Sequence, residues 1–187
     1  MRVPLSAGFS LLNKRHSDAA LDLLKTISSK TPSHIERLTL PLLFSTLPDH
    51  APMREDIEGR EKYRRGLSAL SHLCAQADLF ETLVVRLSVR LSFLYAPTTV
   101  PEDPEPSAAY AHALLSTLAE VLSRKVESGD LDVPKYVDRL VPRLFNLAAY
   151  GVLAAPGSAG ITGVAVSHVI GVSARLINLV VKSLSAQ

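Results

Sequence analysis

The sequence predicts an all-α fold, a right-handed α-solenoid of about seven helices arranged as stacked hairpins. Composition favours helices, since the 187 residues include no Trp and nine Gly, and 47% of them are hydrophobic. Apolar residues recur at three- and four-residue spacing along most of the chain, as on one face of a helix. Two stretches about a hundred residues apart, at 37–44 and 138–145, share an aliphatic-Pro pair followed by Leu-Phe, which indicates a repeating unit.

The first helix is expected at about residues 17–29. Its apolar residues lie on one face, and Ser17 is the expected N-cap because its hydroxyl can accept from an unpaired backbone amide. Pro32 follows shortly afterwards and is expected to end this helix. The preceding residues, 1–16, are interpreted as an N-terminal extension.

The second helix is expected from Ser33 to about Leu47. Ser33 and Glu36 have the spacing of a capping box, in which each side chain bonds to the other residue's backbone amide. Pro41 lies inside this helix and removes one backbone donor, so the helix is expected to bend. Pro142 occupies the corresponding position in the second copy of the motif.

The third helix follows a polar connector and the charged stretch 54–65, and it is expected to end near Gln76. Asp78 and Glu81 form a second capping-box pattern that opens the fourth helix. Arg86 and Arg90 lie four residues apart on the polar face of that helix. Its apolar face is expected to contain Leu83, Val84, Leu87, Leu91 and Leu94.

The segment from Ala96 to Pro106 contains four prolines and three acidic residues and predicts an exposed loop. A fifth helix is expected at 107–127, and Gly129 is placed to end it. The run 132–134, an Asp followed by an early proline, opens a sixth helix that reaches about residue 150. The seventh helix, 161–184, is apolar over most of its circumference, as expected of an inner helix.

Pairing these helices gives repeats at 33–76, 78–128 and 132–185, within a solenoid that extends from residue 17 to residue 187. The spacing of about 45 to 54 residues is slightly above the usual armadillo and HEAT period. The first helix then represents the second half of a preceding repeat. Such repeats bury their apolar faces by stacking and present surfaces to partners.

Composition and motifs argue against several classes of function. The formal charge of +2 is too balanced to indicate nucleic-acid binding. The single cysteine, Cys74, lies on an apolar helix face and is interpreted as a core residue of a protein from a reducing compartment, the cytoplasm and nucleus. The six histidines lack the spacing of a metal site, and the glycines at 157–163 lack the lysine of a phosphate-binding loop. We therefore expect no catalytic residues, no cofactor and no metal.

Two further features leave alternatives open. The stretch from Gly151 to Ala174 contains no charged residue, which fits either a membrane helix or a buried solenoid helix; Pro156 and several glycines favour the second. A basic cluster, defined as Arg54, Arg60, Arg64 and Arg65, is interleaved with acidic residues. It fits either an ordinary solvated helix face or a patch that docks a partner.

Three segments together resemble the fungal branch of the Mms-nineteen family of large HEAT-repeat proteins. They are the string 39–49, the helix around Tyr63 that ends in His72-Leu73-Cys74, and the string 79–87. The resemblance is strongest over Leu38 to Leu94.

The resemblance implies a segment of a larger, non-enzymatic scaffold of the cytosolic iron–sulfur targeting complex, linked to DNA repair and transcription. Its implied partners are targeting-complex subunits, a WD-repeat propeller and a small acidic-type protein, together with iron–sulfur apoproteins such as DNA helicases and polymerases. The alternative hypothesis is a generic HEAT adaptor in transport or regulation, unrelated to iron–sulfur assembly.

Overall fold

A computed structural model describes residues 19–75, 77–95, 103, 105–136, 138, 140–142 and 164–185. Within these ranges every regular element is a helix and there is no strand, which confirms the predicted all-α, solenoid-like class. The extension 1–16, the expected cap Ser17 and the glycines at 157–163 lie outside the described residues. The repeat boundaries stay predictions.

The helices are numbered along the chain. They are α1 (19–30), α2 (32–45), α3 (Ile57–Leu73), α4 (Ala77–Tyr95), α5 (Glu105–Glu127) and α6 (Val164–Ser185). A 3-10 turn (Val133–Tyr136) follows α5. Helical residues also occur at 138 and 140–142.

The helices lie in two layers. The second helix of each predicted pair contributes to one layer, in which α5 packs against α3 on one side and α6 on the other. The first helices form the other layer, where Thr82 Oγ1 of α4 donates to Glu36 Oε1 of α2 at 3.0 Å. Phe80 of α4 meets Tyr136 edge to face, with ring centroids 4.8 Å apart, and extends this layer to the 3-10 turn. This serial packing is the arrangement of a solenoid.

The N-terminus of α2 differs from the prediction. The helix begins at Pro32, whose fixed φ suits the first turn, and the side chain of the cap residue Thr31 makes no capping bond to it. Ser33 therefore lies inside the helix and the expected capping box with Glu36 is wrong. The Glu36 carboxylate instead accepts from Thr82, because the neighbouring helix brings a donor within reach.

The middle of α2 is a π-helix over Ile35–Thr39, between α-helical segments Pro32–His34 and Leu40–Ser45. The Leu40 amide donates to the Ile35 carbonyl, five residues back. Pro41 has no amide hydrogen to continue the α pattern, so a wider turn immediately before it is a direct consequence of the proline. The sequence predicted a bend at Pro41, and the structure shows a π-helix just before this residue.

Two other helix ends are shifted from their expected positions, and a third is confirmed. The helix α3 ends at Leu73 and not near Gln76, because Cys74 leaves the helical region with ψ at 29°. The helix α5 begins at Glu105, two residues before Ser107, so the expected loop is shorter. Gly129 follows α5 with φ at +71°, which confirms its role as the residue that ends this helix.

The predicted sixth helix begins differently. The structure has a 3-10 turn over Val133–Tyr136 before the helical residues at 138 and 140–142, whereas the sequence predicted a helix from residue 132 onward. Val133 and Tyr136 are both buried, so tertiary contacts hold the tighter turn in place. The stretch 143–150 lies outside the described residues.

The hydrophobic core runs continuously between the two layers. Its most deeply buried part is the apolar face of α5, and the four leucines and one valine predicted on the apolar face of α4 are all buried. All of these residues are at most 6% exposed: Leu83, Val84, Leu87, Leu91, Leu94, Leu114, Leu115, Leu118, Val121 and Leu122.

Candidate partner-binding surface

A groove of about 920 Å³ lies between α2 and α4 on the layer of first helices. Glu36 is bonded to Thr82 near one end of the groove, and the Phe44 carbonyl accepts from Arg90 near the other. The two helices therefore run in the same direction with a fixed register. The groove is open to solvent along its length.

One wall of the groove is an apolar row on α4, which we define as Val85, Val89 and Phe93. These side chains occur every four residues and are 44%, 47% and 64% exposed. Pro41 of α2 faces them across the groove. The row is separate from the buried leucine face of the same helix.

The sequence reasoning did not single out this row. The strongly buried leucine face alone accounted for the amphipathic pattern of α4, so the other apolar residues of this helix were not assigned a role. The available signal was the apolar residues left over at i, i+4 and i+8 once the leucine face had been assigned.

One end of the groove is held in place by Arg90. Its guanidinium donates to the carbonyls of Pro48 and Phe44, at 2.8 and 3.2 Å, and to Asp49 Oδ1 at 2.8 Å. Tyr110 of α5 donates its hydroxyl to the same Pro48 carbonyl at 2.9 Å. Arg90 therefore joins the connector after α2 to both layers, and its role in the groove is structural.

The predicted basic cluster divides into two pairs. Arg54 Nε lies 2.6 Å from Asp103 Oδ2, and the same guanidinium forms an ion pair with Glu105 at the start of α5. Arg60 donates to the Arg54 carbonyl. These two arginines thus hold the loop before α3 against α5.

The second pair of the cluster, Arg64 and Arg65, is exposed on α3. Arg65 makes a long bond from Nε to the Glu61 carbonyl at 3.4 Å. Arg64 lines a second groove of about 420 Å³ between α3, α5 and α6. Arg54 and Arg60 thus have partners within the chain whereas Arg64 and Arg65 are exposed, and a docking role for the basic cluster stays a prediction.

The second groove contains His112 and His168. Their rings meet edge to face with centroids 6.1 Å apart, near Arg64 and Glu105. Within the described ranges no group of three or more His, Cys, Asp or Glu residues is placed to hold a metal ion.

Cys74 is fully buried at the end of α3, as the sequence predicted. Burial raises the pKa of its thiol from 9.0 to about 12, because the thiolate would lose its hydration. A thiol in this state is neither a nucleophile nor a ready metal ligand at neutral pH.

The alternative of a membrane helix rested on Gly151 to Ala174. The first thirteen residues of that stretch lie outside the described part of the chain, and the rest belongs to α6. Among the helices that the structure describes, none has the length and hydropathy needed to span a membrane.

Comparison with known families gives one match. The family model MMS19_C, described as RNAPII transcription regulator C-terminal, matches residues 66–187. No curated protein and no solved structure matches the chain. The family match extends well beyond Leu94, where the resemblance seen in the sequence becomes thin, and it includes α4, α5 and α6. The match supports a role related to transcription and repair. Because it covers more than half of the chain, the protein belongs to the MMS19 family and contains that family's C-terminal region.

Proposed function

We propose that this chain is a scaffold segment without catalytic activity, which binds protein partners during the delivery of iron–sulfur clusters to apoproteins in the cytoplasm and nucleus. Its partners would be subunits of the targeting complex and apoproteins such as DNA helicases and polymerases. Through these clients it would support DNA repair and transcription. We further propose that its repeats span 33–76, 78–128 and 132–185.

The observation that carries this proposal is the solvent-open groove between α2 and α4, with its exposed apolar row. A scaffold needs a preformed surface that offers apolar contact area to a partner. Serially packed helices provide such a surface because each first helix is supported from behind by the second layer. Membership of the MMS19 family supports the transcription and repair context.

The proposal can be tested with purified components. The full chain is immobilised and incubated with the WD-repeat subunit, its small partner, and an iron–sulfur helicase in its apo form. We expect specific retention of at least one targeting-complex subunit or apoprotein, and no retention of a helicase that has no cluster. If the folded chain retains none of these proteins, the iron–sulfur assignment is wrong, and a general adaptor function would replace it.

A further inference from the structure

The groove between α2 and α4 combines apolar surface with an arginine, Arg86, that has no partner among the described residues. Within this groove, Thr82 and Arg90 of α4 point towards α2 and are bonded to it. Arg86 lies between them in sequence, one turn from each, and also lines the groove. It is exposed and forms no hydrogen bond or ion pair with another described residue.

The carboxylates of the groove are already engaged. Glu36 accepts from Thr82, Asp49 pairs with Arg90, and Glu81 also has an interaction partner. Arg90 is paired with Asp49, so Arg86 is the cation of the groove that is available to an incoming group. A carboxylate complements it best, because a guanidinium binds a carboxylate through two parallel hydrogen bonds.

The apolar row determines the shape of the complementary ligand. From Glu81 to Phe93 the groove follows α4 for about 18 Å, the length of about three helical turns. Val85, Val89 and Phe93 present apolar contacts once per turn. An amphipathic helix laid along such a groove presents matching anchors at three- and four-residue spacing.

We propose that this groove binds an acidic amphipathic helix of a partner protein. Two or three apolar side chains of that helix pack on the apolar row, and an Asp or Glu between them pairs with Arg86. This inference rests on the proposed function, because it names the kind of segment by which a partner of the scaffold docks.

The test uses a phage-displayed library of helix-forming peptides of about 15 residues, selected on the intact chain. The groove variants are Arg86→Glu and Val89→Asp. Their matched controls are Arg65→Glu, an exposed arginine on α3, and Leu131→Asp, at a side chain that is 77% exposed outside the groove. All variants are first checked for unchanged helicity and melting temperature, since every substituted side chain is exposed.

We expect selected peptides to contain apolar residues at helical spacing with an Asp or Glu among them. Binding should fall by about tenfold or more in both groove variants and stay within about twofold in both controls. A library selected anew on the Arg86→Glu variant should favour Lys or Arg at the acidic position, because the charge of the groove has been reversed.

Three outcomes would overturn the inference. Selection could enrich no helical peptide, or the enriched peptides could bind the groove variants as well as the wild type. A concentration-dependent dimer that Val89→Asp dissociates would make a second copy the occupant instead. None of these outcomes decides the proposed function, which depends on retention of the purified targeting subunits and apoproteins. Conversely, if peptides bind the wild type and lose affinity for the groove variants, the groove inference is supported even if those proteins fail to bind.

Discussion

At the scale of single residues, Lys125 is the most constrained charge in the described structure. Its side chain is 1% exposed near the end of α5. The ammonium lies 3.0 Å from Asp130 Oδ2, 2.9 Å from Asp132 Oδ2 and 3.0 Å from the Ala75 carbonyl. It also lies 5.6 Å from the centre of the Phe80 ring. Lys125 thus connects the end of α3 to the turn that follows α5 through a single buried cation.

We predict that Lys125→Met destabilises the fold by about 3 kcal/mol. The substitution preserves most of the side-chain volume but leaves Asp132, which is 13% exposed, without its positive partner. Urea unfolding followed by circular dichroism measures the change. Lys182→Met is the control, since Lys182 is exposed on α6 and its loss should cost less than about 0.5 kcal/mol. Equal stability of both variants would contradict the role assigned to Lys125.

Two buried groups, the Cys74 thiol and the Tyr110 hydroxyl, make the free energy of unfolding depend on pH in the alkaline range. Burial raises the pKa of Cys74 from 9.0 to about 12, and it raises the pKa of Tyr110 from 10.0 to about 12 despite the opposing charge of Arg90. Below pH 9.0 both groups are protonated in the folded and unfolded states, so their contribution is complete. As pH rises, these two groups lose their protons in the unfolded chain first, and this lowers the free energy of unfolding.

We therefore predict that the free energy of unfolding falls progressively between pH 9.0 and about 12. Cys74→Ala should remove the part of this decline that begins near pH 9.0, although it lowers stability at neutral pH by leaving a small cavity. Unfolding curves across this pH range provide the measurement. A decline of the same size and onset in the variant would assign it to other groups.

At the scale of elements, the contact between α2 and α3 depends on the absence of a side chain at Gly66. A Cβ built there would lie 2.3 Å from Thr46 Oγ1. That hydroxyl donates to the Leu43 carbonyl at 2.6 Å and caps the end of α2. A methyl group at position 66 would displace both the hydroxyl and the end of the helix.

We predict that Gly66→Ala destabilises the protein by about 1 to 3 kcal/mol, although alanine is the better helix former. Gly171→Ala on α6 is the matched control, because no atom that the structure describes outside the adjacent turns of α6 lies within 4 Å of its Cβ position. That variant should gain about 0.5 to 1 kcal/mol from helix propensity alone. Thermal melting of the two variants and the wild type measures both changes in stability. A gain in both would mean that the close approach of α2 and α3 is not a constraint.

At the scale of the whole molecule, α5 is the central element of the described structure. It packs against α3, α4 and α6, and its apolar side chains from Leu114 to Leu122 are almost entirely buried. The helix at 19–30, by contrast, is mostly exposed. In a serially packed fold, stability is a sum of neighbour interfaces, so an element with neighbours on every side opens last.

We predict that amide hydrogen exchange is slowest in peptides from α5 and fastest, among the described helices, in peptides from 19–30. Exchange measured by mass spectrometry at several times gives the order directly. Lys125→Met should accelerate exchange at the C-terminal end of α5 more than at its start. Uniform protection of all helices would indicate a single cooperative unit rather than a serial array.

The sequence by itself determined the helical class, the number of turns in most helices and the buried face of α4. These properties follow from the period of apolar residues and from prolines and glycines, whose effects act within a few residues along the chain. Cys74 and the leucines of α4 are buried as that period requires, and Gly129 ends α5 because it adopts a positive φ.

Only the tertiary structure decided where polar side chains find their partners and which apolar residues stay exposed. Glu36 accepts a hydrogen bond from Thr82 rather than from its own helix, and Arg54 forms ion pairs with Asp103 and Glu105. The apolar row on α4 faces solvent although its side chains are hydrophobic like those of the buried face. The physical reason is distance: a helix's periodicity is local, whereas hydrogen-bond partners and the covering of a surface depend on residues forty or more positions away, which meet only when the helices pack.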